Sequence, residues 1–181
     1  MARLHVGDVM PDVTFDTPFR SGLRLSEVAG NREGKTAIVF LRYYGCTLCQ
    51  YDMHQYAKNS GEIEATGGKL LVVLQSDPKR LADELGEVPP PFQIICDPEQ
   101  RLYKQFEIMP AETKEKMIDA GTIKKIGLAT VGGFKHGDYE GNELQLPATF
   151  VLEQDRTIVY AHYGKSVSDV PGPAELIKLL K

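Results

Sequence analysis

The sequence predicts an α/β fold: a mixed central sheet with helices on both faces and a small β-hairpin in front. Three observations predict it. Ala37 to Leu41 is a short apolar run bounded by Lys35 and Arg42, and Lys69-Leu-Leu-Val-Val-Leu is a second one. Runs of that length without polar alternation are strands covered on both faces. Between them lies a long stretch with helical spacing, so the first half builds a right-handed β-α-β unit. Near the end, Thr149-Phe-Val-Leu-Glu and Thr157-Ile-Val-Tyr-Ala-His162 flank the turn residues Gln154-Asp155-Arg156, which adds an antiparallel pair. A chain of 181 residues suits one domain spanning 1–181.

The front hairpin is predicted from Val13 and Phe15 pairing with Gly22-Leu-Arg-Leu across Pro18 and Ser21. Leu25 to Val28 reads as one helical turn capped by Ser26, and Gly30 to Gly34 as a loop. After the central strand a helix runs towards Thr66-Gly67-Gly68, with a break allowed at Gly61 because glycine costs about 1 kcal/mol in a helix. Asp77-Pro78 starts a helix to about Leu85, proline being favoured at the first helical position. Glu87 to Pro91 is an extended link, and Phe92 to Cys96 a short edge strand. Asp97-Pro98-Glu99 caps a helix from Gln100 to Phe106. Residues 111–126 are expected to form a helix, and Gly127 to Gly141 a solvated, flexible loop carrying His136 and Asp138. Leu146-Pro147-Ala148 leads into the penultimate strand. His162 is expected to be a packed strand histidine. Pro171 and Pro173 set off a closing helix from Ala174 to Leu180.

Chemistry concentrates at Cys46-Thr-Leu-Cys49, directly after the central strand. A helix start presents free backbone N–H groups and the positive end of the helix dipole, which favour a thiolate. The second cysteine lies one turn on, within disulfide reach. Cys49, Met53, Tyr56, Ser60 and Ile63 recur at steps of four and three, so they share one face. Cys49 therefore begins the inward face and is expected to be the buried, resolving thiol. Cys46 sits at the cap and is expected to be the exposed, attacking one. Arg42, at the strand end below the cysteines, can supply a cation.

Two plainer readings stand beside this one. The cysteines can be small buried hydrophobes, as expected for Cys96 between Ile95 and Asp97. A CxxC can also be half of a zinc site, but His5, His54, His136 and His162 show no ligand spacing to complete one. A net charge of −4 argues against a nucleic-acid partner. No run approaches the roughly 20 apolar residues of a membrane span, and residues 1–8 lack the apolar core of a signal peptide. The expected compartment is the cytoplasm, where a CxxC is catalytic more often than structural.

The segments Val6-Gly-Asp-x-x-Pro-Asp-Val-Thr-Phe, Val39-Phe-Leu-Arg-x-x-Gly-Cys46-x-x-Cys49, Asp97-Pro-x-x-x-Leu-Tyr-Lys-x-Phe and Leu146-Pro-Ala-Thr-Phe-Val-Leu span nearly the whole chain. In that order they resemble the peroxiredoxin-like (AhpC/TSA, redoxin) family of the thioredoxin-fold superfamily. The resemblance implies a thioredoxin-like three-layer fold and a thiol-dependent oxidoreductase that needs no bound cofactor or metal. It implies an external thiol reductant of thioredoxin or glutathione type, and a protein disulfide or a peroxide as substrate. A homodimer is compatible with it. The family's Thr and Pro ahead of the peroxidatic cysteine are replaced here by Tyr43 and Val39, and its arginine before the Ala-Thr-Phe-type strand by Pro147. What stands instead is the CxxC-plus-proline pair of thioredoxin-like disulfide oxidoreductases. Disulfide exchange through Cys46 and Cys49 is therefore the expected activity, with Arg42, Tyr43, Leu146 and Pro147 as substrate-binding candidates. In that fold a cis Leu146–Pro147 bond would face the cysteines. Peroxide reduction is the first alternative, and a non-enzymatic redox sensor or binding module the second.

Overall fold

A computed structural model describes residues 2–30 and 33–181. The hairpin is β1 (Thr14–Phe15) with β2 (Leu23–Arg24), paired antiparallel. The helix α1 (Leu25–Ala29) follows. Its N-cap is Arg24 rather than the expected Ser26, whose hydroxyl instead donates to Asp12 at 2.8 Å. The loop expected from Gly30 to Gly34 includes Asn31 and Arg32, which lie outside the described residues.

The main sheet contains β3 (Thr36–Phe40), β4 (Lys69–Leu74), β5 (Gln93–Cys96), β6 (Ala148–Leu152) and β7 (Ile158–Tyr163), in the order β5-β4-β3-β6-β7. β3 pairs parallel with β4, and β4 with β5; β3 pairs antiparallel with β6, and β6 with β7. The sheet is mixed, β3 is central and β5 is an edge, as the sequence predicts. Every residue of β3 is buried, because the sheet is covered on both faces. Ala37, Val39 and Leu41 join one core with α2 (Thr47–Lys58), α3 (Ser60–Ala65), α4 (Pro78–Leu85) and α7 (Pro173–Leu180). Ile38 and Phe40 face the other, with α1, α5 (Arg101–Gln105) and the hairpin. Period-two side-chain alternation thus divides one apolar run between two cores.

The far core fixes the end of β3. Phe40 meets Tyr103, Phe106 and Phe150 edge-on, with centroids 5.1, 6.2 and 5.9 Å away, the arrangement that aromatic quadrupoles favour. The buried Tyr103 hydroxyl reaches the Leu41 and Val73 carbonyl oxygens at 2.7 and 3.0 Å. The chain therefore leaves the sheet at a fixed point, one residue before Arg42.

Two expectations for the second half are corrected. The helix assigned to residues 111–126 lies further on: a 3₁₀ turn spans Glu115–Met117 and α6 spans Ala120–Val131. Asp119 accepts from the Thr122 N–H at 2.8 Å and supplies the N-cap, so the helix starts there and takes in Gly127. α6 docks on α2 through a buried ion pair, Lys125 Nζ to Asp52 Oδ1 at 2.8 Å. The remainder of the glycine-rich stretch is an exposed loop, as expected, that runs across the N-terminus of α2, where Gln50 donates to the Lys135 carbonyl at 2.9 Å. The second correction concerns Pro147: no peptide bond among the described residues is cis. Pro147 stands just before β6, so its missing N–H removes nothing from the ladder, and its carbonyl accepts the Gly164 N–H at 2.8 Å. A trans bond meets no conflict there. Among the described residues no helix is long and apolar enough to cross a membrane.

Candidate active site

Cys46 is the N-cap of α2, and its Sγ accepts the Cys49 backbone N–H at 3.2 Å. The two thiols are free, with Sγ atoms 2.6 Å apart. Disulfide bonding needs about 2.05 Å, so a small rotation suffices to join them. Arg42 lies beside them, its guanidinium donating to Cys46 Sγ at 3.1 Å and its backbone N–H directed at Cys49 Sγ, 3.4 Å away.

Electrostatics separates the two thiols. Burial opposes ionisation of Cys46. The Cys49 thiol, the Arg42 charge and the Cys49 N–H outweigh that opposition and bring the Cys46 pKa down to about 6. Burial pushes the Cys49 thiol well up, and the neighbouring Cys46 adds to it. Arg42 is itself buried, which works against its charge, but Cys46, Cys49 and Glu143 more than compensate. At neutral pH the site holds a Cys46 thiolate, a Cys49 thiol and an Arg42 cation.

Glu143 completes the frame. Its Oε1 pairs with Arg42 at 2.9 Å, its backbone carbonyl accepts from the same nitrogen at 2.8 Å, and its Oε2 accepts from the Tyr43 hydroxyl at 2.5 Å. His136 Nε2 lies 3.0 Å from the same hydroxyl. Burial and Glu143 both raise the Tyr43 pKa, so the phenol stays protonated.

The expected exposure of Cys46 is overturned: it is 0 % exposed. The glycine-rich segment packs on Gly45, the neighbour of Cys46. Gly137 donates to the Gly45 carbonyl at 2.8 Å, and a Cβ on Gly45 would come within 2.3 Å of the Asp138 carbonyl oxygen. The helical stripe holds in the other respect: Cys49, Met53, Tyr56 and Ile63 are all buried.

Arg42, Tyr43, Cys46 and Cys49 are thus brought together. Leu146 and Pro147 make no hydrogen bond to either cysteine among the described residues; the Leu146 carbonyl accepts instead from Gln145 Nε2 at 3.1 Å. Cys96 stands apart on β5 and is buried; burial, then Asp77, Glu140 and Asp16, push its thiol up to about 12. His162 is half-buried and pairs with Asp169 at 2.9 Å. Sequence reasoning missed Glu143 and the role of His136. Continuing the antiparallel register beyond Phe40–Ala148 sets Leu146 and Gln145, not Glu143, opposite Arg42 and Tyr43, so no local pattern in the sequence marks Glu143. Among the described residues no cluster of three or more His, Cys, Asp or Glu is arranged to hold a metal ion.

The model of the AhpC/TSA family matches residues 6–161. Among curated proteins none matches the sequence. Among solved structures the chain is similar to peroxidoxin BcpB from Mycobacterium tuberculosis, with 12% identity, a TM-score of 0.66 and coverage of 96% of this chain and 94% of that one. It is similar to a thiol peroxidase from Chromobacterium violaceum, with 13% identity, a TM-score of 0.63 and coverage of 98% and 86%. It is similar to a yeast mitochondrial 1-Cys peroxiredoxin, with 15% identity, a TM-score of 0.63 and coverage of 97% and 74%. At these identities the structures share the thioredoxin-like fold.

Proposed function

The chain belongs to the AhpC/TSA family of thiol-dependent oxidoreductases, and on that premise we propose that it is a thiol–disulfide oxidoreductase whose redox pair is Cys46 and Cys49. The observation that carries the reading is the 2.6 Å separation of the two sulfurs beside the Arg42 guanidinium. Peroxide chemistry alone needs a single activated thiol, whereas a second thiol in contact with the first provides an intramolecular resolving step.

The Cys46 thiolate attacks one sulfur of a substrate disulfide. A Cys46–substrate disulfide forms, the substrate S–S bond breaks, and the departing thiolate takes a proton from water. Cys49 then loses its proton and attacks Cys46 Sγ, expelling the second substrate thiol and leaving a Cys46–Cys49 disulfide. Two electrons have passed to the substrate, and an external thiol reductant of thioredoxin or glutathione type restores the pair. Arg42 stabilises the attacking thiolate, while at resolution Cys46 is the sulfur attacked and the substrate's sulfur is the one that leaves. Tyr43, whose hydroxyl is committed to Glu143 and His136, orients this frame instead of meeting the substrate.

The burial of Cys46 favours a second reading, peroxide reduction, because a peroxide is small enough to reach a covered thiolate. Cys46 would take the distal oxygen as a sulfenic acid and the alkoxide or hydroxide would leave with a proton. Cys49 would then displace water to form the same disulfide. The residues that polarise the peroxide in typical relatives are Tyr43 and Val39 here, so disulfide exchange remains the primary reading. Turnover of a peptide disulfide and of hydrogen peroxide, each with added dithiol, separates the two. Peptide-disulfide turnover that disappears in Cys46→Ser is the expected result. Disulfide turnover undiminished in Cys46→Ser, or none in the wild type, rejects the proposal. In Cys49→Ser the mixed disulfide at Cys46 should accumulate.

A further inference from the structure

A covered nucleophile must be uncovered before a disulfide within a polypeptide can reach it. Between α6 and β6 the chain has no regular structure from Phe134 to Glu140, and a glycine in a left-handed conformation stands at each end: Gly133 at φ +81° and Gly141 at φ +65°. Only glycine adopts such angles without strain, and such positions absorb backbone rotation readily. The intervening residues are mostly exposed and bury almost nothing of their own. They are held at their start by the Phe134 ring against Tyr51 and His54, and by Tyr139 beside Tyr43. The other anchors are polar: Gln50 to the Lys135 carbonyl at 2.9 Å, His136 to Tyr43, Gly137 to Gly45, an Arg80–Asp138 ion pair, and Glu140 accepting from Ser76 and Asp77 at 3.0 Å each.

We infer that residues 134–140 are a gate over Cys46, hinged at Gly133 and Gly141, which makes access to the thiolate depend on the size of the oxidant. The inference rests on Cys46 being the attacking thiol. A segment with little apolar burial and several exposed anchors belongs to the low-stability end of a fold, where local opening is frequent. Closed, the gate admits only small reagents; open, it bares the start of α2 to an extended chain. The hinge at Gly141 separates the gate from Glu143, so opening leaves the Arg42–Glu143 pair in place and Cys46 still ionised.

The test compares alkylation of Cys46 by iodoacetamide and by a bulky polyethylene-glycol maleimide, with modification at Cys46 read by peptide mass spectrometry. The variant Asp138→Ala/Glu140→Ala removes the outer anchors and touches neither cysteine nor Arg42. Reaction with the bulky reagent should accelerate by at least about tenfold, the effect expected from losing a surface ion pair and two hydrogen bonds, while the iodoacetamide rate changes by less than about twofold. Equal acceleration of both reagents, or no change in either, overturns the gate. Because alkylation needs no turnover, the outcome stands even if the disulfide-exchange assay fails. A second variant, Gly141→Ala, pushes a Cβ to within 2.6 Å of Gln75 Oε1 and should give the same selective acceleration by dislodging the hinge.

Discussion

Replacing Arg42 with Gln tests the activation of Cys46 directly. The guanidinium stands 3.1 Å from Cys46 Sγ and supplies both a charge and a hydrogen bond to the thiolate, whose pKa is about 6. An adjacent opposite charge is worth about one to three pKa units, so its loss should raise Cys46 to about 8, a change of about 2.7 kcal/mol. At pH 5 the thiolate fraction then falls by about ninetyfold. Intrinsic nucleophilicity rises with pKa, by a slope of about 0.4–0.5, and returns about eightfold of that loss. The variant should react with iodoacetamide about tenfold more slowly than wild type at pH 5 and several-fold faster at pH 9, with the two curves crossing near pH 7. A single measurement at neutral pH would thus find no effect; the full profile is the assay. The reduction potential of the Cys46–Cys49 pair should become more negative by about 30 mV at pH 7, because the reduced form loses its stabilised thiolate. Arg42→Lys keeps the charge and should retain most of the low midpoint. Unshifted midpoints in Arg42→Gln would refute the electrostatic account.

Two further outcomes follow from the same geometry. In the reduced protein Cys46 has a folded-state pKa of about 6 against 9.0 unperturbed, so between those values the native state binds fewer protons than the unfolded one. Unfolding free energy should therefore rise with pH across that window by about 1.4 kcal/mol per unit, and be lost as pH falls through 6; the oxidised protein, with no Cys46 thiol to titrate, should lack that contribution in denaturant titrations. Phe40→Ala should destabilise by about 3–5 kcal/mol, since it empties a fully buried site at the centre of an aromatic cluster; a loss below 1 kcal/mol by the same titration would mean that the far core does not fix β3.

The strands, their order within each half and the inward face of α2 were legible in the sequence because they rest on local pattern. β3 and β4 are uninterrupted apolar runs, and Cys49, Met53 and Tyr56 recur at helical spacing, a signal that tertiary context did not override. The same logic failed for Cys46. Its position at a helix cap predicts exposure, but the chain around it is packed: Gly137 and Asp138, some ninety residues away, lie against the adjoining Gly45, and the polar glycine-rich composition of that segment gives no sign of it. Pro147 failed for a related reason: a proline beside an apolar strand suggests conflict with the ladder, and the conflict vanishes once β6 is seen to begin at Ala148. Arg42 was legible as a cation near the thiols. Its burial was not, because the carboxylate that makes a buried guanidinium tolerable is Glu143, 101 residues further along the chain and ahead of the start of β6.

Activation and access are served by neighbouring parts of one segment. Residues 42–49 contain Cys46, the Arg42 cation beside it and the Cys49 thiol, all positioned by the end of β3 and the start of α2. The segment returning from α6 to β6 contributes twice. Beyond Gly141 it delivers Glu143, which clamps Arg42 and Tyr43; before Gly141 it lays Gly137 and Asp138 over Gly45. Tyr43 touches both halves, its hydroxyl bonded to Glu143 on one side and facing His136 on the other. Opening the gate therefore releases the His136 contact while the bond to Glu143 persists. A hydroxyl that keeps one of its two partners suffers little desolvation cost, so the closed and open forms can lie close in energy while Cys46 remains ionised in both.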